Sequence, residues 1–270
     1  MNAMIDNNKV AEQLWDAQAM RRPVAAVRDQ FSSLSAKEQE EHAYAIQQVN
    51  IRRFLKEGRR VVGRKIGLTS VAVQKQLGVD RPDFGTLLDD MAVVDGQPID
   101  TARLIQPKVE AEVALVLERD LPHECHTGAD LIAATAYALA AIEVVDSRIA
   151  DWNIRFVDTV ADNASSGMFV LGTQPVQLSK LDLAGLRMRL QRGEEVVSQG
   201  IGAACLGNPL NAARWLADTL VRIHTPLRAG DVVLTGALGP MTPVQAGQTY
   251  TAHIDGFAPV RAIFSGGDAT

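Results

Sequence analysis

Hydrophobic and polar positions alternate most strictly over Pro107–Leu117, where Val109, Ala111, Val113, Leu115 and Leu117 interleave with Glu110, Glu112, Ala114 and Val116. A period of two is that of a strand, whose side chains reverse at each residue, so Glu110 and Glu112 leave the same face. A second apolar run, Ala140–Asp146, holds Glu143 in its middle. Shorter strand-like runs follow the same texture at Arg60–Thr69, Asp231–Thr235, Gln248–Asp255 and Val260–Phe264. The N-terminal part reads differently. Val10, Leu14 and Trp15 begin an amphipathic helix that Pro23 interrupts, and Ser35 with Glu38 forms a capping box for a second. On that second helix Ala43, Tyr44, Gln47, Asn50, Ile51, Phe54 and Leu55 fall on one face, and Gly58 ends it. Further helices are expected over Val71–Leu77, over Leu131–Leu139 behind Thr127 and Asp130, and after Asn208 with Pro209 at the first helical position. Ala213, Leu216, Ala217 and Leu220 give that last helix its inner face. Gly78–Thr86 and Asp162–Gly167 read as polar loops.

Composition narrows the class. The 270 residues are 47% hydrophobic and 22% charged, with a net charge of −5, as in an ordinary globular protein. That balance gives no ground for a nucleic-acid partner or an anionic membrane. No apolar run approaches the roughly 20 residues that cross a bilayer, and the first residues lack the pattern of a signal peptide. Two cysteines, Cys125 and Cys205, make no disulfide framework. A cytoplasmic protein with reduced thiols is the expectation.

The candidate chemistry lies in the acids. Glu110-x-Glu112 alone reads most plainly as an edge strand with two surface glutamates. Glu143 shifts the weight, because a charge inside an apolar run must be paired. Three carboxylates on buried-looking strands point to a divalent cation with oxygen ligands. Other clusters carry less. His123-Glu124-Cys125-His126 lacks a second ligand pair and reads as a solvated loop. Ser165 and Ser166 stand in no nucleophile elbow. Gly236–Gly239 is followed by Pro240 and Pro243 where a phosphate-binding helix would start, and reads as a turn. Lys65 lies between Gly63 and Gly67; periodicity leaves both a surface lysine and one buried toward the acids open.

Together and in order, several segments resemble the 2-hydroxypenta-2,4-dienoate (2-keto-4-pentenoate) hydratases, within the fumarylacetoacetate-hydrolase fold superfamily. They are Val61–Thr69, Gly78–Thr86, Val109–Glu112, Glu143–Ile149, Phe156–Ser165 and Leu234–Met241. The likeness runs from about Ala43 to Phe264. It implies an α+β fold, a mixed β-sandwich or roll core with peripheral helices. Residues 1–60 are then a helical N-terminal region and 61–270 a metal-binding, β-rich catalytic domain. It implies Mg²⁺ or Mn²⁺ on Glu110, Glu112 and Glu143, and Lys65, Asp83 and Ser165 as catalytic residues. The implied substrate is a small 2-oxo or 2-hydroxy dienoate from aromatic catabolism, and the implied assembly a homo-oligomer such as a pentamer or decamer. A 2-oxo-3-hexenedioate (4-oxalocrotonate) decarboxylase is the nearest alternative. An acylpyruvate-type C–C hydrolase is more distant, since those relatives present Asp where Glu143 stands.

Overall fold

The computed structural model describes residues 5–70, 74 and 79–266. The helix expected over Val71–Leu77 thus falls largely outside the described residues, Gln74 excepted. The chain opens with helices α1 (Asn7–Met20) and α2 (Ala36–Lys56). Ser35 caps α2 through the expected box, its backbone N–H donating to Glu38 Oε2 at 2.8 Å. The buried face of α2 holds Ala43, Ile46, Gln47, Ile51 and Phe54, whereas Leu55 is 42% exposed, so the stripe turns slightly from its expected course.

Thirteen strands follow among the described residues: β1 (Val61–Gly67), β2 (Asp83–Leu88), β3 (Ala92–Val94), β4 (Pro98–Ile99), β5 (Lys108–Leu117), β6 (Thr135–Val145), β7 (Ser166–Leu171), β8 (Arg187–Arg192), β9 (Glu195–Ile201), β10 (Val232–Leu234), β11 (Thr242–Pro243), β12 (Thr249–Ile254) and β13 (Val260–Phe264). Helices α3 (Gly128–Ala134), α4 (Phe156–Ala161) and α5 (Pro209–Arg222) lie between them. The larger sheet runs β2-β1-β10-β5-β6-β7-β3, with β11 also on β5; the smaller runs β4-β13-β12-β8-β9. Most pairs are antiparallel, but β1–β10, β3–β7 and β4–β13 are parallel. The fold is the mixed α+β sandwich with outer helices expected from the sequence.

Strand β5 divides the molecule. Its odd-numbered residues, Val109 to Leu117, are buried in the main core with Leu190, Tyr250, Val260 and Phe264 of the smaller sheet and with the inner face of α5. Its other face carries Ala114, which packs with Ala141, Phe169, Leu234 and the α2 residues Ile51 and Phe54. Glu110 and Glu112 share this helix-covered face.

Three local expectations change. The helix over Leu131–Leu139 stops at Ala134; from Thr135 the chain is strand, because the long partner β5 offers its ladder as far as Leu117↔Thr135. Pairing overrides the helix propensity of an alanine-rich run. Asp83–Thr86, read as loop, is the start of β2, fully buried beside β1. His126, read as solvated, is buried with Nδ1 2.7 Å from Asp218 Oδ1. Among the described residues no helix is long and apolar enough to cross a membrane.

Candidate active site and metal centre

The β5–β6 register puts Glu110 directly opposite Glu143, with Ala111 against Ile142 and Glu112 against Ala141. Residues opposite one another in an antiparallel pair project to one side, so all three carboxylates meet. One oxygen from each lies within 4.8 Å of the others. Two strands away, β1 aligns Lys65 with Leu234 of β10, which in turn aligns with Ala114 of β5. β10 ends at Leu234. The backbone then leaves strand geometry, and beyond the gap Lys65 Nζ reaches 3.0 Å from Glu143 Oε1. This is an ion pair rather than an aligned hydrogen bond, since Glu143 Oε1 and Oε2 have no hydrogen-bond partner. Glu112 Oε2 accepts from the Gly236 N–H at 2.8 Å, while its Oε1 is buried without a partner.

Lys65 is buried, as is Asp83. The β1–β2 register brings Asp83 opposite Gly67. Gly67 is required there, because a Cβ would collide with Asp83 Oδ1. Thr159 Oγ1 of α4 donates to Asp83 Oδ2 at 3.2 Å. Ser165 arrives from the segment after α4 and donates to Asp162 Oδ2 at 3.2 Å. Asn163, Ala164 and Ser165 all have left-handed φ, of 53°, 50° and 52°, a conformation that costs about 1–3 kcal/mol per non-glycine residue. Asp162 is held in turn by Arg148, whose guanidinium also donates to Asp146 O at 2.6 Å and Ser166 O at 2.8 Å.

Crowding sets the protonation. Burial pushes the Glu110 carboxyl up to about 7, reinforced by Glu143 and Asp83 and opposed by Lys65. Burial first, then Glu143 and Glu110, hold Glu112 well above the usual carboxylate range. Asp83 is raised by burial against the pull of Lys65. For Lys65 burial works downward, but Glu143, Asp83, Glu110 and Glu112 together outweigh it and raise the ammonium's pKa. Three clustered glutamates beside one ammonium, several of their oxygens without a donor, make a donor set suited to a hard divalent cation. The residues fit such an ion.

A cavity of about 520 Å³ opens beside them. Lys65, Asp83, Glu110 and Ser165 line it, so four segments distant in sequence converge on one space. Glu112 and Glu143 are buried and do not line it. The apolar wall includes Trp152, Ile154, Ile201, Leu238 and Met241. Sequence reading missed Thr159, Asn163, Trp152 and the Arg148–Asp162 pair. Only Asp162–Gly167 carried a local signal, as a polar stretch between apolar ones.

Residues 48–264 match the family model of the fumarylacetoacetate (FAA) hydrolase C-terminal region. The chain is 63% identical over 265 residues to a 2-keto-4-pentenoate hydratase of Burkholderia vietnamiensis, covering 97% of this chain and 100% of that protein. It is 58% identical to 2-keto-4-pentenoate hydratase 1 of Dechloromonas aromatica, covering 97% and 98%. Among solved structures, 4-oxalocrotonate decarboxylase from Pseudomonas putida G7, complexed with magnesium and adipate, superposes with a TM-score of 0.89 at 32% identity, covering 97% and 99%.

Proposed function

The chain belongs to the fumarylacetoacetate hydrolase C-terminal family, and from that premise we propose that it is a 2-keto-4-pentenoate hydratase, a hydro-lyase converting 2-hydroxypenta-2,4-dienoate to 4-hydroxy-2-oxopentanoate. The observation that carries this reading is full-length identity of 63% to a hydratase, set against 32% to the decarboxylase. The catabolism of aromatic compounds is the setting in which such a dienoate arises. The same reading assigns the enzyme to the cytoplasm and to a homo-oligomer, a pentamer or decamer, with the helical region 1–60 outside a catalytic domain 61–270.

Glu110, Glu112 and Glu143 would hold the cation, Mg²⁺ or Mn²⁺. When bound there, it supplies Lewis acidity toward the substrate's carboxylate and 2-oxygen. The protein's own groups do the rest. Lys65 brings a fixed positive charge to the oxygen that becomes negative as the enol loses its proton. Asp83, whose pKa burial raises above its ordinary value, takes up the proton that the enol releases. It delivers that proton to C5, the far end of the diene, giving an α,β-unsaturated 2-oxo acid. Water then adds at C4, its hydroxyl forming the new C–O bond and its proton returning to the enolate carbon, C3. The Ser165 hydroxyl, which donates to Asp162 in this structure, rotates to the substrate carboxylate. No covalent nucleophile is needed. Incubation of the Mg²⁺-loaded protein with 2-hydroxypenta-2,4-dienoate tests the reading: loss of diene absorbance with formation of 4-hydroxy-2-oxopentanoate is expected, and unchanged substrate contradicts it.

A further inference from the structure

Ser165 reaches the cavity from an unusual piece of backbone. Three successive non-glycine residues, Asn163, Ala164 and Ser165, are left-handed. Such a turn persists only where its surroundings over-determine it. Asn163 supplies the determining contacts. Its Oδ1 accepts from the Thr86 N–H at 2.7 Å and its Nδ2 donates to the Thr86 carbonyl at 2.9 Å, so one carboxamide closes on both backbone groups of one β2 residue. Its own carbonyl accepts from Ser166 Oγ at 2.7 Å. Gly85, next to Thr86, lets the turn lie against β2, because a Cβ there would press on the Asn163 carbonyl. Asparagine also tolerates left-handed φ better than most residues. Asn163 does not line the cavity, whereas Ala164 and Ser165 do.

We propose that Asn163 is a positioning residue, clamping the left-handed turn to β2 so that the Ser165 hydroxyl faces the substrate. The inference rests on the reading of Ser165 given above. It differs from a general structural role, because the clamp's own hydrogen bonds go to Thr86 and to none of Glu110, Glu112 and Glu143, and it acts through one side chain.

The test combines Asn163→Ala, Asn163→Gly, Ser165→Ala and the Asn163→Ala/Ser165→Ala double variant, each assayed with Mg²⁺ for kcat and KM and titrated with Mn²⁺. Glycine accepts the backbone angle but removes the clamp, so it separates strain from positioning. The expected result is a fall in kcat on the order of 10- to 100-fold for both Asn163 variants, with Mn²⁺ affinity retained and both variants still folded at the assay temperature. The double variant should be no slower than Ser165→Ala alone, because a residue acting through Ser165 has nothing left to position. Asn163 variants within twofold of the unmodified kcat would overturn the proposal, as would additive losses in the double variant or a loss that tracks Mn²⁺ release. A fully active Ser165→Ala would instead remove the site reading itself, and the inference with it.

Discussion

Lys65 and Asp83 share one cavity and one electrostatic neighbourhood, yet the proposed chemistry gives them different work. Lys65→Met should lower kcat by on the order of 10²–10³, the scale of losing one preorganised transition-state donor, with a smaller change in KM. Asp83→Asn should slow exchange of solvent deuterium into C5 and erase one limb of the pH–rate profile. Loss of a pH limb in Lys65→Met, with normal exchange in Asp83→Asn, would reverse the assignment. The acids give a second test at this scale. Glu110 has an ordinary value of 4.5, raised to about 7 by burial and by Glu143. Between those values the folded chain keeps a proton that the unfolded chain has released, so stability contributed by this group is complete below about 4.5 and lost as pH rises through about 7. Glu112 and Asp83 shift in the same direction. The melting temperature of chelator-treated protein should therefore fall over that interval, and millimolar Mg²⁺ should reduce the fall; a profile unaffected by Mg²⁺ contradicts the cation site. Glu112→Gln should abolish most Mn²⁺ binding and activity while raising the melting temperature of the metal-free chain, by relieving repulsion.

The helical layer is tied to the site by α2 rather than merely laid over it. Gln47 Nε2 donates to the Phe84 carbonyl at 3.1 Å and the Val160 carbonyl at 3.0 Å, joining α2 to β2 and α4 at once. Gln47→Leu should destabilise the protein by about 1–3 kcal/mol, the cost of leaving buried carbonyls without a donor, read as a lowered denaturant midpoint; an unchanged midpoint would show the ties to be dispensable. Elements with regular periodicity were legible in the sequence: β5 from its alternation, α2 from its capping box, α5 from Asn208 and Pro209. The convergence of three glutamates followed from β5 and one further apolar run. What escaped was set by distant partners. Asp83–Thr86 follows Pro82 and carries the Asp and Gly of a turn, and only pairing with β1 makes it a strand. His126 looks solvated until α5 brings Asp218 to it. Asn163 gave no sign of its clamp, since Thr86 is its partner across 77 positions.

The described residues form a two-sheet sandwich whose proposed active site lies where the short β10 interrupts the larger sheet. Long flanking strands bring the acids from one side and Lys65 from the other, and the missing strand length leaves the space between them. Such an arrangement serves any reaction that needs a stabilised 2-oxo enolate, so fold and acids together do not separate hydration from decarboxylation. Met20 and Leu55 on the helical layer are exposed apolar groups, 65% and 42% accessible, suited to burial between copies of the chain. Light scattering at micromolar concentration should return a particle larger than a dimer, and a mass near the 29.1 kDa of one chain contradicts the proposed assembly. The most direct measurement of the central claim offers the Mg²⁺-loaded protein 2-hydroxypenta-2,4-dienoate and 2-oxohex-3-enedioate side by side in ¹⁸O-labelled water, with products identified by mass. The hydratase account predicts 4-hydroxy-2-oxopentanoate carrying label at C4 from the dienoate and no carbon dioxide from the dioate. Carbon dioxide from the dioate, with the dienoate left unhydrated, would contradict it.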